Sequence, residues 1–300
     1  MNEKAKAAVL GMFVGDALAL GPHWEYDVAV LRARFGRAEG LTAPGGRYHQ
    51  GKAAGDFTHY GDQAFVLLES LAAKKGFALE DFFERWKSLF AGYKGYFDGA
   101  TKKTLERIDF GEGPEGSGSN SNDLAGAARF APLLLLHGDD LDALVAAARA
   151  QTRMTHNNSQ VLDSAEFFAR VAFAALRGTA PRKAMEDAAG RGYPCGLIGQ
   201  WVEKGLASLG TPSVRAIEAL GQTCHAEEAF PATALLLASY PEDLKTALVE
   251  CVMAGGDSAA RGMLVGTVLG AALGPGAIPP AWLDGLTRKA RILELLAELA

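Results

Sequence analysis

The sequence predicts an all-α protein, a single compact multi-helix domain over residues 1–300. Three observations carry this. Apolar residues recur at helical spacing through most of the chain. No stretch sustains β alternation, and no Asn-Gly or Asp-Gly turn joins two β-branched runs. The apolar segments are also rich in Ala and Gly, as in 262–274 (GMLVGTVLGAALG), where small side chains let helix backbones approach closely.

The elements follow in order. Residues 7–14 are apolar behind Lys4 and Lys6 and mimic a signal peptide, but Asp16 falls where that apolar core should continue, so a buried helix is expected. Residues 63–75 carry one apolar stripe that stops at Lys74-Lys75-Gly76, with Asp62 as a candidate N-cap. Residues 79–90, 140–150 and 159–176 repeat the pattern, the last entered through Asn157-Asn158. Pro241-Glu242-Asp243 is expected to open a helix, since Pro suits the first turn and acids face the positive dipole end. Residues 282–299 read as a final amphipathic helix. Two loops interrupt the helices, 39–56 and the Gly/Ser/Asn-rich 111–122; the second is either a floppy connector or a site loop. No fixed-period repeat appears.

Composition narrows the function. Thirty basic against thirty-five acidic residues give a net charge of −5, with no basic stripe, which argues against nucleic-acid binding. Three scattered cysteines (Cys195, Cys224, Cys251) fit a reducing compartment. The longest apolar run, 263–273, is too short to cross a membrane. A cytoplasmic protein is expected, monomeric by default.

Four clusters set polar groups beside apolar helices. Gly15-Asp16-Ala17-Leu18 is followed by Pro22-His23-Trp24-Glu25; a buried Asp16 needs a partner, as a cap or as the anchor of a site loop. His59-Tyr60-Gly61-Asp62-Gln63 offers Asp62 as a plain cap or as a carboxylate at a pocket floor, with His59 and Tyr60 as ligand donors. The loop reaching Asn122-Asp123 delivers the chain to Arg129, which needs a partner in apolar company; Thr155-His156 goes with it, His156 being a cap or a ligand contact. Gly255-Gly256-Asp257 leads to Arg261, four residues on, either an intrahelical ion pair or an acid and a base aimed into a pocket.

In this order the clusters resemble the ADP-ribosylglycohydrolase family. The likeness spans about residues 7–285: the opening Gly11-x-x-x-Gly15-Asp16-Ala17-Leu18 with Glu25, the block from Asn122 to Arg129-x-Ala131-Pro132, Thr155-His156, and Gly255-Gly256-Asp257 followed by Ile278-Pro279-x-x-Trp282. The resemblance implies an all-α fold with a central cleft, a pair of magnesium or manganese ions, and hydrolysis of the glycosidic bond of ADP-ribose. The family's metal-binding acids come from a Thr-Asp-Asp-Thr and an Asp-x-Asp-Thr block. Anchored on Gln63, this sequence replaces both acids of the first block; a one-residue slip lets Asp62 stand for the second acid, with Gly61 still in place of the first, and Ala259 and Ala260 replace ligands of the second block. Asp62 and Asp257 are the carboxylates left, which implies one weakly held magnesium ion or none. The Tyr60-Gly61-Asp62-Gln63 form is similar to the branch containing jellyfish J-crystallins and selenoprotein J.

The resulting expectations are specific. Asp62 or Glu25 activates water. His59, Tyr60, Asn122, Asp123 and His156 contact ADP-ribose or an ADP-ribosylated substrate. Arg261, with His59 or His156, supplies positive charge where the metals would sit. The alternative is a crystallin-like or ADP-ribose-binding member without turnover.

Overall fold

A computed structural model describes residues 2–45 and 48–299 of the chain. The helices run α1 (Glu3–Ala19), α2 (Val28–Phe35), α3 (His59–Lys74), α4 (Leu79–Ala91), α5 (Gly99–Asp109), α6 (Ala125–Ala128), α7 (Leu134–His137), α8 (Leu141–Arg153) and α9 (Ser159–Leu176). They continue as α10 (Pro181–Ala189), α11 (Ile198–Ala207), α12 (Ser213–Leu220), α13 (Ala226–Ser239), α14 (Leu244–Met253), α15 (Ser258–Leu273), α16 (Pro280–Asp284) and α17 (Lys289–Glu298). Among the described residues β pairing is limited to two isolated bridges, Ser119–His156 and Asp123–His225. No described helix is long and apolar enough to cross a membrane.

The centre is a pair of helices, α1 and α15, that are buried on every side. Helices apolar all round belong inside a core, which is why the signal-like stretch at 7–14 is the middle of the protein. They cross on glycine. A Cβ on Gly15 would lie 2.2 Å from the Gly262 carbonyl oxygen, and one on Gly266 would lie 2.0 Å from that of Gly11. The remaining helices wrap this pair, with α3, α9, α13 and α14 packed on it and α4, α8 and α11 outside.

Three boundaries differ from expectation. Thr58, not Asp62, caps α3, its Oγ1 accepting from Tyr60 N at 3.1 Å, so Asp62 lies in the first turn. Helix α14 starts at Leu244, capped by Asp243 accepting from Thr246 N at 2.9 Å, because the acid is a better cap than a first-turn residue. The expected last helix is two, α16 and α17, since the chain turns at Gly285 to dock Thr287 N on Gly55 O at 3.1 Å.

Asp16 acts as an anchor. Its carboxylate accepts from Thr58 N at 2.7 Å and Thr58 Oγ1 at 2.6 Å, tying α1 to the start of α3. Burial pushes its carboxyl up to about 6, with Thr58 and Lys52 opposing and Asp62 adding to the rise. An unfolded carboxyl titrates near 3.9. Between about pH 4 and 6 the folded chain therefore holds a proton the unfolded chain has released. Its contribution is complete below pH 4 and is lost as pH rises through 6, an effect of about 3 kcal/mol. Asp16→Asn is expected to remove this slope; urea denaturation of both proteins across pH 4–7 measures the difference.

Candidate functional site

Four loops and helix starts converge on one face of the central pair. The Gly255-Gly256 turn has positive φ at both residues (69° and 64°), and a Cβ on Gly256 would lie 2.1 Å from Gln222 O. Only glycine permits this approach. The turn clasps the segment after α1, with Gly256 N donating to Glu25 O at 2.8 Å and Trp24 N donating to Gly256 O at 3.0 Å. Trp24 is held at φ 63°, uncommon for a bulky residue and a pointer to function. The polar loop 111–122 is no floppy connector. Ser119 N donates to Thr155 O at 2.9 Å, Asn157 N to Ser119 O at 2.7 Å, and Leu124 N to Cys224 O at 2.9 Å.

These segments enclose a cleft of about 610 Å³, within the range of small-molecule sites. Trp24, Tyr48 and Tyr96 form one wall, packed edge to face with ring centroids 4.7–4.9 Å apart. Lys103 and Arg107, one turn apart on α5, line another side with Ser119, Asn120 and Ser121. Asp98, Asp123 and Cys224 line the cleft as well.

The acids are tied by helix starts and a phenol. Asp98 caps α5, Oδ1 accepting from Thr101 N at 2.7 Å. Asp123 Oδ1 accepts from Ala125 N at 2.9 Å, and Asp257 Oδ1 from Ala260 N at 3.3 Å. The Tyr60 hydroxyl lies 3.0 Å from Asp257 Oδ2 and 3.4 Å from Asp123 Oδ2, between the two carboxylates. Trp24 Nε1 donates to Asp257 Oδ2 at 3.4 Å. Burial, then the neighbouring carboxylates, push Asp123 well above the usual carboxylate range, and burial raises Asp257 despite Arg261. Burial also raises Asp98, but the His59 contact, the nearby His156 and the Thr101 N–H outweigh it and leave Asp98 low.

Four of the six histidines, His23, His49, His59 and His156, are buried here. His23, His49 and His59 stack with centroids 5.4–5.5 Å apart. Burial lowers His23 and His49 and brings His156 down to about 3, so these rings are neutral at neutral pH. His156 Nδ1 is 2.9 Å from Thr155 Oγ1, while among the described residues its Nε2 has no hydrogen-bond partner, nor has Asp98 Oδ2. Among the described residues two groups of three could hold a metal ion, Asp98/Asp123/His156 and Asp123/Cys224/Asp257, each with ligand atoms within 4.8 Å of one another.

The structure thus brings Tyr60, Asp123, His156 and Asp257 together, with His59 Nε2 3.4 Å from Asp98 Oδ2. It places the other expected site residues elsewhere. Asp62 is bound by Lys52 and Tyr93, each at 2.6 Å, and by Arg288 at 3.4 Å. Among the described residues it shares no partner with Asp257, because Tyr60 and Asp62 point about 200° apart around α3, and neither group of possible metal ligands there includes Asp62. Glu25 accepts from Asp27 N at 3.1 Å and lines a neighbouring hollow with Arg34. Asn122 bonds His225 at 2.7 Å and Glu227 at 3.1 Å, beside the cleft. Arg261 is fully buried and donates to the Gly255 and Gln222 carbonyls. It makes no ion pair with Asp257 among the described residues and does not line the cleft; its positive charge reaches the Asp257 carboxyl only through space. Arg129 is held by Gln63 at 3.0 Å, by Gln151 at 2.6 Å and by Thr155, not by an acid. Burial brings this guanidinium down to about 9.

Sequence reasoning missed Asp98, Cys224, Tyr48, Tyr96, Lys103 and Arg107. Asp98-Gly99 before a helical run is a readable cap, but nothing local marks it as facing a cleft.

The sequence pattern of the family described as ADP-ribosylglycohydrolase matches residues 1–300. An uncharacterized protein of Archaeoglobus fulgidus is 26% identical over 305 residues, covering 100% of this chain and 96% of its own. Crystallin J1A and Crystallin J1B of Tripedalia cystophora are each 25% identical over 327 residues, covering 100% of this chain and 97% of theirs. A solved structure titled ADP-ribosylglycohydrolase-related protein complex superposes with a TM-score of 0.74 at 25% identity, covering 99% of this chain and 97% of that one.

Proposed function

The chain belongs to the ADP-ribosylglycohydrolase family, and from that premise we propose that it hydrolyses the glycosidic bond of an ADP-ribosylated side chain or related ribosyl compound. The observation that carries this reading is the pairing of two buried carboxylates, Asp98 and Asp123, with an aromatic wall and two basic side chains around one cleft. Each part suits one part of the ligand. Trp24, Tyr48 and Tyr96 offer ring faces and edges to adenine. Lys103 and Arg107 attract the diphosphate. Asp98 and Asp123 accept hydrogen bonds from the ribose hydroxyls and from the attacking water.

In the reaction the bond from the anomeric carbon to the leaving nitrogen or oxygen breaks. Water supplies the new hydroxyl, and its proton passes through the carboxylates to the leaving group. Tyr60, hydrogen-bonded to Asp257, keeps that buried acid in place beneath the ribose. Family members are typically metal-dependent, and a cation held by Asp98, Asp123 and His156 would supply Lewis acidity to the water or a ribose hydroxyl. We place the protein in a reducing, cytoplasmic setting, as a monomer acting on small or protein-linked ADP-ribose and not on nucleic acid or membrane.

Release of ADP-ribose from ADP-ribosylated protein tests the reading. Trp24→Ala is expected to raise KM about tenfold with a smaller change in kcat, through loss of stacking of roughly 1–3 kcal/mol. A second reading, binding without turnover, is favoured by the crystallin relatives and by the phenol between Asp123 and Asp257. It predicts ADP-ribose raising the melting temperature with no product formed.

A further inference from the structure

Two candidate ion sites share Asp123, and they are in different states. The side towards Asp257 is already satisfied. The Tyr60 hydroxyl, Trp24 Nε1 and Ala260 N all reach the Asp257 carboxylate, at 3.0, 3.4 and 3.3 Å. The phenol oxygen stands between Asp257 and Asp123, where an ion shared by the two would have to sit. The side towards Asp98 is not satisfied. Among the described residues Asp98 Oδ2 and His156 Nε2 are buried with no hydrogen-bond partner, in residues 5% and 2% exposed; beside Asp98 Oδ2 stands only the His59 ring, its Nε2 3.4 Å away.

An orphaned acceptor and an orphaned imidazole nitrogen in one place are costly unless something fills the gap. Donation from His156 Nδ1–H to Thr155 Oγ1, at 2.9 Å, leaves the Nε2 lone pair bare, the tautomer a metal needs. Thr155 is fixed in turn by Arg129, which gives the ring an outer support. Asp98 and Asp123 line the cleft, so an ion there keeps open positions for water or substrate. The ligand atoms lie within 4.8 Å of one another; bonds of about 2.0–2.2 Å require them to close in modestly.

We infer that Asp98, Asp123 and His156 form a site for a single first-row transition ion, binding zinc and manganese in preference to magnesium. Imidazole selects for such ions, whereas magnesium prefers an all-oxygen octahedron and holds its waters. The inference deepens the proposed activity, since it concerns the same cleft, yet it is read without substrate. A failure of metal binding and a failure of hydrolysis are therefore separate results.

The test uses the full, tag-free chain stripped with chelator and titrated calorimetrically with zinc, manganese or magnesium chloride. One ion per chain is expected, with zinc tighter than manganese and both at least tenfold tighter than magnesium. His156→Gln and Asp98→Asn are each expected to weaken zinc and manganese at least tenfold, while Asp257→Asn changes them less than threefold. Manganese bound to the unmutated protein should show nitrogen coupling in its electron spin-echo spectrum, a signature that holds even if the His156 variant fails to fold. Two ions per chain, absence of nitrogen coupling, no binding at millimolar zinc or manganese, or loss of binding in Asp257→Asn with retention in His156→Gln overturns the inference.

Discussion

Asp98→Asn is expected to lower kcat for ADP-ribose release at least a hundredfold while leaving the melting temperature nearly unchanged. The two halves of that result come from the two oxygens of one carboxylate. Oδ1 caps α5 through Thr101 N at 2.7 Å. Asparagine caps as well as aspartate, so the helix and the Lys103 and Arg107 side chains it carries stay in place. Oδ2 has no hydrogen-bond partner among the described residues and lies 3.4 Å from His59 Nε2. There the substitution exchanges an anionic acceptor for a neutral amide. Loss of a positioned proton acceptor commonly costs 10²–10⁴ in rate. Asp98→Ala would remove the cap too, and is expected to add about 1 kcal/mol of destabilisation to the same kinetic loss. Initial rates with circular-dichroism melts read both. A rate within threefold of the unmutated protein would remove Asp98 from the reaction.

Asp98 also shows where sequence reading stops. The fold class was legible because periodicity, turn chemistry and small-residue runs all agreed. Tyr60, Asp123, His156 and Asp257, which the fold brings together, are legible as candidates because each sits near a loop-to-helix junction in apolar company, where an unpartnered polar group is costly. What local pattern could not supply was direction. Tyr60 and Asp62 are two residues apart in one helix, and which of them faces Asp257 depends on where α3 starts. Assigning the cap to Asp62 instead of Thr58 left that open. The four-residue spacing suits Arg261 to pairing with Asp257, yet backbone carbonyls of Gly255 and Gln222 hold it, and carbonyl partners leave no trace in sequence. Arg129 likewise found amides and a hydroxyl. The aromatic wall comes from Trp24, Tyr48 and Tyr96, on three separate segments with no shared period.

The central crossing gives the largest expected effect on stability. Gly11 and Gly15 on α1 meet Gly266 and Gly262 on α15, and Gly270 one turn on meets the Ala7 carbonyl, so small residues at helical four-residue spacing lie along one contact line. Gly266→Ala places a methyl 2.0 Å from the Gly11 carbonyl oxygen and 2.5 Å from its carbon. Those are backbone atoms of a fully buried helix, so no flexible side chain can give way, and the helices must separate. Overpacking of this kind costs about 3 kcal/mol or more, a fall in melting temperature on the order of 5–10 °C for a chain of this size. The favourable helix propensity of Ala over Gly, about 1 kcal/mol, does not offset it. Gly276→Ala is the matched control, since a Cβ there meets nothing within 4 Å, and it is expected to stay within about 0.5 kcal/mol. The crossing also sets the cleft, because α1 leads into Trp24 while Asp257 caps α15. Spreading the pair draws Trp24 Nε1 from Asp257, now 3.4 Å away, so residual folded Gly266→Ala protein should bind ADP-ribose more weakly. A variant as stable as the parent, with unchanged ADP-ribose affinity, would show that the two helices can part without disturbing the site.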